Sequence, residues 1–320
     1  MLRKSAVTLK IFGGFKTLKV IVTDKLAEAG IKLLRDAGHE VKEAWDIPKD
    51  ELPKTLGDYD AIVIRSATKV KGDLLEAAKN LKVVGRAGIG LDNVDLDKCK
   101  ERNIVVRNTP NATTDTVAEL ALAYMFALAR PIVKATTTLR EGKWAKKELA
   151  GTELLGKTLG IVGCGRIGSA LARKAHAIGM KIVGCDVVEI HEACVDQCEM
   201  DDVLSQADYI SLHLPLLPDT KHIISKDTIA KMKDGVCIIN CSRGGTLDEG
   251  ALYEAIKSGK VRGAALDVWE KEPIELEASK KLLELDEVIG SPHIGAQTAE
   301  GQDRAGIQVA EAVIEELKKL

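Results

Sequence analysis

The sequence predicts an α/β protein with two parallel-sheet domains and a cleft between them. Short apolar stretches alternate with amphipathic ones along most of the chain, which is the pattern of parallel strands joined by helices. Aromatic residues make up only 3% of the 320 residues, so the core must consist of Val, Ile, Leu and Ala, as in sheets covered on both faces. A chain of this length exceeds one compact domain, which favours two.

The first series of elements predicts a flavodoxin-like domain. Its expected strands are Lys19–Asp24, His39–Trp45, Asp60–Arg65, Lys82–Arg86 and Ile104–Arg107. Its expected helices are Lys25–Ala37, Lys49–Leu56, Lys71–Lys79 and Val94–Arg102. In the first helix Leu26, Ala29 and Leu33 recur at helical spacing, and Gly38 is a typical residue to follow a helix end.

A glycine-rich turn opens the second series. A short apolar strand is followed by Gly163, Gly165 and Gly168, which fit the pattern G-x-G-x-x-G, and then by residues at helical spacing. The next strand, Lys181–Asp186, ends in an acid at the distance expected of a ribose-binding residue. These features predict a Rossmann dinucleotide-binding domain, and the alternative is a structural turn followed by an unrelated surface acid.

Two helices, Thr116–Ala129 and Ile132–Glu141, precede the glycine-rich turn. The first is apolar almost all round, so we expect it to be buried between domains or in a homodimer interface. The expected later strands are Asp208–Leu214, Val236–Asn240, Arg262–Val268 and Glu287–Ile289. The expected later helices are Met200–Gln206, Ser225–Met232, Asp248–Ser258 and Thr298–Leu320.

No strand follows the last helix, so we expect it to return to the first domain. The predicted boundaries are residues 18–112 with 298–320 for the first domain and 113–297 for the second. Residues 1–17 form an N-terminal extension that carries four basic residues and no acid. It lacks the apolar stretch of a secretory signal, which favours a poorly ordered or edge extension, with a transit peptide as the alternative.

Charge and cysteine content exclude several classes of function. The chain has 46 Lys and Arg against 48 Asp and Glu, which argues against a nucleic-acid or membrane-surface binder. No apolar run reaches the roughly 18 residues of a membrane span. Seven scattered cysteines favour reduced thiols in the cytoplasm. His191, Cys194 and Cys198 have spacings that a metal could use, but without a fourth ligand we prefer a helix surface and expect no metal.

Polar residues follow several of the predicted strands. Ligands of open parallel sheets bind beyond the carboxyl ends of the strands. The strand-end residues are Arg65 with Ser66, Arg86 with Gly88, Arg243, Asp267 and His293. Each arginine alone could be a solvated cap, but three of them together predict an anionic substrate in the cleft.

His293 lies between Pro292 and Gly295, directly after the last strand. Hydride transfer to a carbonyl leaves an alkoxide that needs a proton, and His is the usual donor near neutral pH. Glu272, which precedes Pro273, is a candidate to orient the ring, although spacing alone does not establish that the two meet. The other histidines, His39, His176, His191, His213 and His222, are expected to be surface or core residues.

With these residues assembled, the sequence resembles the D-2-hydroxyacid dehydrogenase family from about Lys19 to the C-terminus. Within the family it looks most like short-form members that oxidise 3-phospho-D-glycerate. The motifs that carry the resemblance are Val84–Asp95, Gly156–Gly163, Asn240–Gly245, Ala264–Val268 and Pro292–Ala296.

The resemblance implies a role for each matching residue. The catalytic residues would be Arg243, which grips the substrate carboxylate, and the acid/base pair Glu272 and His293. Cofactor contacts would be Thr68, Gly163, Gly165, Arg166, Ile167, Gly168, Asp186, Leu214, Cys241, Ser242, Asp267, His293 and Gly295. Substrate contacts would be Arg65, Ser66, Gly88, Ile89, Asn108 and Arg243.

The function implied is NAD-dependent oxidation of 3-phospho-D-glycerate to 3-phosphohydroxypyruvate, the first step of serine biosynthesis. NAD is expected rather than NADP, because Asp186 would repel a 2′-phosphate and Val187 and Val188 bring no compensating cation. A glyoxylate or hydroxypyruvate reductase is the alternative within the family. A binding protein that senses NAD(H) on the same scaffold is the alternative of another class.

Overall fold

The described part of the chain, residues 16–320 of the computed structural model, forms two compact units. The first contains the chain up to Thr113 together with Thr298–Leu320, and the second is Thr114–Gln297. Each has a parallel sheet with helices, which confirms the two predicted parallel-sheet α/β domains. The predicted N-terminal extension lies outside the described residues, apart from Lys16 and Thr17.

The first unit has a five-stranded sheet. Its strands are β1 (Lys19–Val22), β2 (Glu40–Glu43), β3 (Ala61–Ile64), β4 (Val83–Arg86) and β5 (Val105–Asn108). They are all parallel, in the order β2-β1-β3-β4-β5. The strand order reverses between β1 and β3, so their carboxyl ends form the topological switch point where ligands of such sheets bind.

Short helices and one long C-terminal helix cover this sheet. They are α1 (Glu28–Asp36), α2 (Leu52–Thr55), α3 (Gly72–Ala77), α4 (Leu96–Glu101) and the C-terminal helix Ala299–Leu317. Val309 and Val313 of the C-terminal helix are fully buried in the same cluster as β1, β3 and β4. Gly30 of α1 rests directly on the Gly306 carbonyl, a contact that a side chain at position 30 would prevent. The last helix therefore completes the core of the first unit.

The second unit has a seven-stranded sheet. Its strands are β6 (Thr158–Val162), β7 (Lys181–Cys185), β8 (Asp196–Gln197), β9 (Tyr209–Leu212), β10 (Val236–Asn240), β11 (Val261–Leu266) and β12 (Val288–Gly290). They are parallel, in the order β12-β11-β10-β9-β6-β7-β8. Here the switch point lies between β6 and β9, and the glycine-rich turn begins at the carboxyl end of β6.

Within the described residues, the second unit has seven α-helices, and two of its short elements, one strand and one helix, are not predicted from the sequence. The helices are α5 (Thr114–Ala129), α6 (Ile132–Arg140), α7 (Arg166–Ala177), α8 (Met200–Gln206), α9 (Lys226–Lys231), α10 (Glu249–Lys257) and α11 (Glu277–Leu283), so the C-terminal helix is α12. The unexpected elements are β8, only two residues long, and α11. Helix α5 packs within the core of its own unit, through Val117, Ala121 and Met125, and leaves Phe126 exposed.

The segment around β8 corrects one expectation. His191 and Cys194 lie in the loop before β8 and Cys198 directly follows β8, not on a helix surface, because the chain there pairs with β7 at the sheet edge. Within residues 16–320, no three His, Cys, Asp or Glu side chains are grouped to hold a metal ion. No single described helix is long and apolar enough to cross a membrane; α5 and α6 together reach the length and composition but are bent by 63°.

Candidate active site

The glycine-rich turn between β6 and α7 has the geometry that its sequence predicts. Gly163 has a φ of +94°, and a side chain there would meet the His213 carbonyl oxygen at 2.6 Å. Gly168 on the first turn of α7 packs on the Gly163 carbonyl. Gly165, by contrast, faces open space, with nothing within 4 Å of where a Cβ would lie. Two glycines therefore close the turn, and the third leaves room for a ligand against the backbone.

Helix α7 begins at Arg166 and Ile167 directly after this open position. Gly165 is its N-cap residue and provides no side chain to accept a hydrogen bond from the first N–H groups. Those N–H groups and the positive end of the helix dipole favour an anion. The residues present therefore fit a pyrophosphate group.

Asp186 is fixed beside the turn. It follows β7, and its carboxylate accepts hydrogen bonds from the Cys164 N–H at 2.7 Å and the Val188 N–H at 3.3 Å. Val187 and Val188 are exposed, and no lysine or arginine adjoins the acid in sequence. An acid held next to a pyrophosphate site is suited to bind ribose hydroxyls.

His213 lies beside the glycine-rich turn, and it is a buried residue, within what the sequence leads us to expect of this histidine. It lies between β9 and Leu214, across the switch point from Gly163, and its Nε2 is 2.9 Å from Ser211 Oγ. Burial lowers the pKa of His213 to about 4, so its ring is neutral at physiological pH. Its buried Nδ1 has no partner among the described residues.

Asn240 builds the turn that carries Arg243. The buried Asn240 Oδ1 accepts hydrogen bonds from the Ser242 N–H at 3.0 Å and the Ser242 hydroxyl at 2.8 Å, and its Nδ2 donates to the Arg243 carbonyl at 3.1 Å. The Arg243 guanidinium is half-buried and donates to the Ser242 carbonyl at 2.7 Å. Cys241 is buried, and burial raises the pKa of its thiol, which therefore stays protonated.

His293 and Glu272 meet, as the family resemblance implies. His293 Nδ1 lies 2.8 Å from Glu272 Oε2, and the other Glu272 oxygen accepts the Trp269 N–H at 3.1 Å. The hydrogen bond to Glu272 raises the pKa of His293, against burial and the Arg243 charge, which lower it. Burial alone would raise the pKa of Glu272, but His293, the Trp269 N–H and Arg243 outweigh it and lower that pKa. The pair therefore favours an ionised Glu272 beside a protonated imidazole.

Asp267 anchors the loop that carries His293. Its carboxylate accepts the N–H groups of Ile294 and Gly295, both at 2.7 Å, and the Ser291 hydroxyl. Its carbonyl accepts the His293 N–H at 2.9 Å. Because both carboxylate oxygens are engaged within this unit, positioning of the loop is the role that the contacts show; a cofactor contact by Asp267 stays a prediction.

In the first unit, Asp24 organises the loop that contains Arg65, Ser66 and Thr68. The Asp24 carboxylate accepts the Arg65 N–H at 2.6 Å, the Thr68 N–H at 3.0 Å and the Thr68 hydroxyl at 2.7 Å. Asn93 Nδ2 donates to the carbonyls of Arg65 and Thr68, both at 2.7 Å. The sequence predicts no role for Asp24 or Asn93, although Asp24 follows β1 at the switch point.

Gly88, Ile89 and Asn108 also lie together at the carboxyl edge of the first sheet. Asn108 Nδ2 donates to the Ile89 carbonyl at 2.6 Å, and the Thr109 N–H donates to the Gly88 carbonyl at 3.0 Å. Gly88 has a φ of +146°, and a side chain there would strike the Arg86 guanidinium. The predicted substrate residues of this unit are therefore fixed at the ends of three neighbouring strands.

The family of the chain follows from its sequence match. Residues 122–295 match the model of the D-isomer specific 2-hydroxyacid dehydrogenase NAD binding domain. The chain belongs to the D-isomer specific 2-hydroxyacid dehydrogenases. This dehydrogenase therefore uses NAD, and the glycine-rich turn, helix α7 and Asp186 fit that cofactor.

Relatives of the dehydrogenase have more than one substrate. It is 50% identical to the hydroxypyruvate reductase of Thermotoga maritima, over 93% of this chain and 98% of the relative. It is 47% identical to the D-3-phosphoglycerate dehydrogenase of Methanocaldococcus jannaschii, over 92% of this chain but only 57% of the relative. The crystal structure of a glyoxylate reductase from Paecilomyes thermophila superposes with a TM-score of 0.86 at 32% identity, covering 95% of this chain and 96% of that one.

Proposed function

We propose that this dehydrogenase oxidises 3-phospho-D-glycerate to 3-phosphohydroxypyruvate, the first step of serine biosynthesis. The observation that carries the proposal is the loop Arg65–Thr68, which Asp24 and Asn93 hold at the switch point of the first sheet. A rigid loop with a half-buried arginine and an exposed serine is suited to bind a phosphate. Phosphoglycerate dehydrogenases among the relatives also support this substrate.

The proposed chemistry assigns one task to each catalytic residue. Bound at the glycine-rich turn and Asp186, NAD would supply the acceptor for the hydride that leaves C2 of the hydroxy acid. The C2 hydroxyl proton passes to His293 Nε2, and in the reverse direction His293 returns it to the carbonyl oxygen. Glu272 holds the ring through Nδ1 and stabilises the imidazolium. Arg243 binds the substrate carboxylate through two parallel hydrogen bonds and stabilises charge on the C2 oxygen.

The remaining site residues are proposed to bind the cofactor and the substrate. For the cofactor these are Thr68, Gly163, Gly165, Arg166, Ile167, Gly168, Asp186, Leu214, Cys241, Ser242, Asp267 and Gly295. Asp186 selects NAD over NADP, because its carboxylate would repel a 2′-phosphate. For the phosphate and carboxylate of the substrate they are Arg65, Ser66, Asn108 and the backbone of Gly88 and Ile89.

Arg65→Ala should remove the preference for a phosphorylated substrate. We expect kcat/KM for 3-phospho-D-glycerate to fall about a hundredfold, since a charge-assisted bond contributes roughly 1.5–3 kcal/mol. Turnover of unphosphorylated D-glycerate should hardly change. The measurement is NAD reduction with both substrates, and Arg35→Ala, which removes an exposed arginine paired with Glu43, is the matched control. Equal losses on both substrates would rule out a phosphate contact.

A hydroxypyruvate reductase is the second candidate, favoured by the relative that matches this chain over nearly its whole length. The same assay separates the two. A wild-type enzyme that prefers D-glycerate and hydroxypyruvate over their phosphorylated forms would be a reductase. The contact between His293 and Glu272 argues against a protein that only senses NAD(H), because sensing needs no acid/base pair.

A homodimer in the cytoplasm is also proposed. Exposed apolar side chains cluster within the segment 126–155 of the second unit, including Phe126, Val133, Leu139, Trp144 and Leu155. Such surface usually marks an interface. Seven free cysteines suit a reducing compartment.

Trp144→Ser tests the homodimer, because Trp144 is 83% exposed in the single chain. We expect sedimentation to give a dimer for the wild type and a shift toward monomer for this variant. His176→Ser, on an exposed part of α7, is the control and should leave the dimer intact. A monomeric wild type at micromolar concentration would contradict the proposal.

A further inference from the structure

A buried carboxylate outside the proposed catalytic set lies behind the loop that carries Glu272. Glu249, the first residue of α10, is only 3% exposed. Its Oε1 accepts the Glu270 N–H at 2.7 Å, and its Oε2 accepts the Ser279 hydroxyl. One side chain therefore joins α10, α11 and the loop after β11.

The loop it holds is the one that orients the acid/base pair. Glu270 lies two residues before Glu272. The backbone N–H of Trp269, the residue before Glu270, donates to the Glu272 carboxylate at 3.1 Å. The Glu249 N–H donates in turn to Glu270 Oε1 at 3.3 Å, so the two acids bind each other's backbone. A displacement of Glu270 would move Glu272 with it.

The peptide bond between Trp269 and Glu270 is also held by the residues that follow Arg243. Gly244 packs directly on the Trp269 carbonyl, and a Cβ at Gly244 would lie 2.9 Å from the Glu270 nitrogen. His222 connects the same two segments. Its backbone N–H donates to the Gly245 carbonyl at 2.8 Å, and its ring Nε2 lies 3.1 Å from Glu270 Oε1. The Trp269–Glu270 peptide is therefore held between the Arg243 turn and Glu249.

We propose that Glu249 is a positioning residue for the dehydrogenase reaction: it fixes the Trp269–Glu270 peptide so that Glu272 stays against His293 beside Arg243. The inference rests on the proposed acid/base roles of Glu272 and His293. What matters is the reach of the Glu249 oxygen to the Glu270 N–H, and not the negative charge of Glu249.

The burial of Glu249 supports this role. Burial raises the pKa of Glu249, against the hydrogen bonds from Ser279 and the Glu270 N–H, which lower it. Removing a carboxylate from water is unfavourable, and an apolar side chain would avoid the cost. A carboxylate at this position is explained by the two donors that its two oxygens accept at once, the Glu270 N–H and the Ser279 hydroxyl.

Two conservative variants separate reach from charge. Glu249→Gln keeps the length and an acceptor oxygen but removes the charge, whereas Glu249→Asp keeps the charge and withdraws the oxygen by one methylene. The matched control is Asp208→Ala, which removes an acid that accepts a backbone N–H from Thr158 at 2.8 Å at the opposite, amino end of the strands. Each variant is assayed for kcat, KM, NADH binding by fluorescence, and the pH profile of carbonyl reduction.

The expected result follows from the pKa of His293. Carbonyl reduction requires protonated His293. The rate of reduction is therefore at its full value at low pH and is lost as the pH rises through the His293 pKa. In Glu249→Asp the contact between His293 and Glu272 loosens, so the pKa of His293 falls. The rate of reduction should then be lost at a lower pH than in wild type. We also expect kcat to fall about tenfold to thirtyfold with little change in KM. Glu249→Gln and Asp208→Ala should keep the wild-type profile, with kcat within about threefold.

Other outcomes overturn the inference. A wild-type profile in Glu249→Asp would show that reach is not needed, and a loss in Glu249→Gln as large as in Glu249→Asp would show that charge matters instead. If Glu249→Asp does not fold, Ser279→Ala should shift the profile in the same direction, and no shift would count against the inference. His293→Ala is assayed in parallel. Unchanged turnover in His293→Ala would overturn the acid/base proposal itself. A loss of turnover in His293→Ala, combined with wild-type kcat and pH profile in Glu249→Asp, would overturn only the role of Glu249.

Discussion

His293→Ala is expected to lower turnover about a thousandfold in both directions, because a positioned general acid or base contributes roughly 10² to 10⁴ to the rate. NADH binding should be preserved, since the glycine-rich turn and Asp186 are unchanged. Stopped-flow and steady-state assays of carbonyl reduction, with NADH fluorescence for binding, check both points. His176→Ala, on the exposed side of α7, is the control and should behave as wild type.

Glu272→Gln adds a pH signature to the same prediction. In wild type, Glu272 raises the pKa of His293, which keeps the imidazole protonated to higher pH and extends reduction to higher pH. Without the carboxylate the reduction rate should be lost at lower pH, while oxidation, which needs neutral His293, should begin at lower pH. A His293→Ala enzyme with normal turnover, or a Glu272→Gln profile that coincides with wild type, would exclude this acid/base pair.

Arg243→Ala is expected to lower kcat/KM about a thousandfold, comparable to the loss of a group that stabilises a developing oxyanion. Arg243→Lys should recover only part of the activity, because a lysine keeps the charge but cannot form two parallel hydrogen bonds with a carboxylate. The measurement is kcat and KM for the hydroxy acid, together with NADH affinity, which should stay within about threefold.

Arg262→Ala is the matched control for this arginine. Arg262 lies near the amino end of β11, where it donates to the Tyr209 hydroxyl at 2.9 Å and to Thr152 Oγ1 at 3.1 Å. Its loss should lower thermal stability and leave kcat/KM unchanged. If both variants lose activity to the same degree, the effect of Arg243 is structural and the carboxylate contact is wrong.

The sequence predicts most of this fold because its signals are local. The glycines of the turn after β6 and the regular alternation of strands and helices need no knowledge of distant contacts. The misses are short or edge elements: β8 has two residues, too few for a periodic pattern, and α11 begins after Leu276 with no capping side chain. Such elements form because the rest of the unit offers a surface to pair or pack against.

The residues of the candidate site also differ in whether a local sequence signal predicts their role. Arg243 and His293 lie in distinctive motifs, so their residue types alone indicate a reaction. The side chains that hold them do not: Asp24 meets Arg65 across 41 residues, and Glu249 meets Glu270 across 21. An Asp or Glu with such a role looks like any other acid until the fold brings its donors together.

The packing of α12 on the first sheet sets an order of events during synthesis. Strands β1, β3 and β4 emerge from the ribosome early, but Val309 and Val313, which complete their core, emerge only after the whole second unit. At translation rates of about 5–20 residues per second, that delay is roughly 10–40 s. The second unit, a continuous stretch of chain, can fold during this time, while the part of the first core that α12 covers stays exposed to aggregation beside α1.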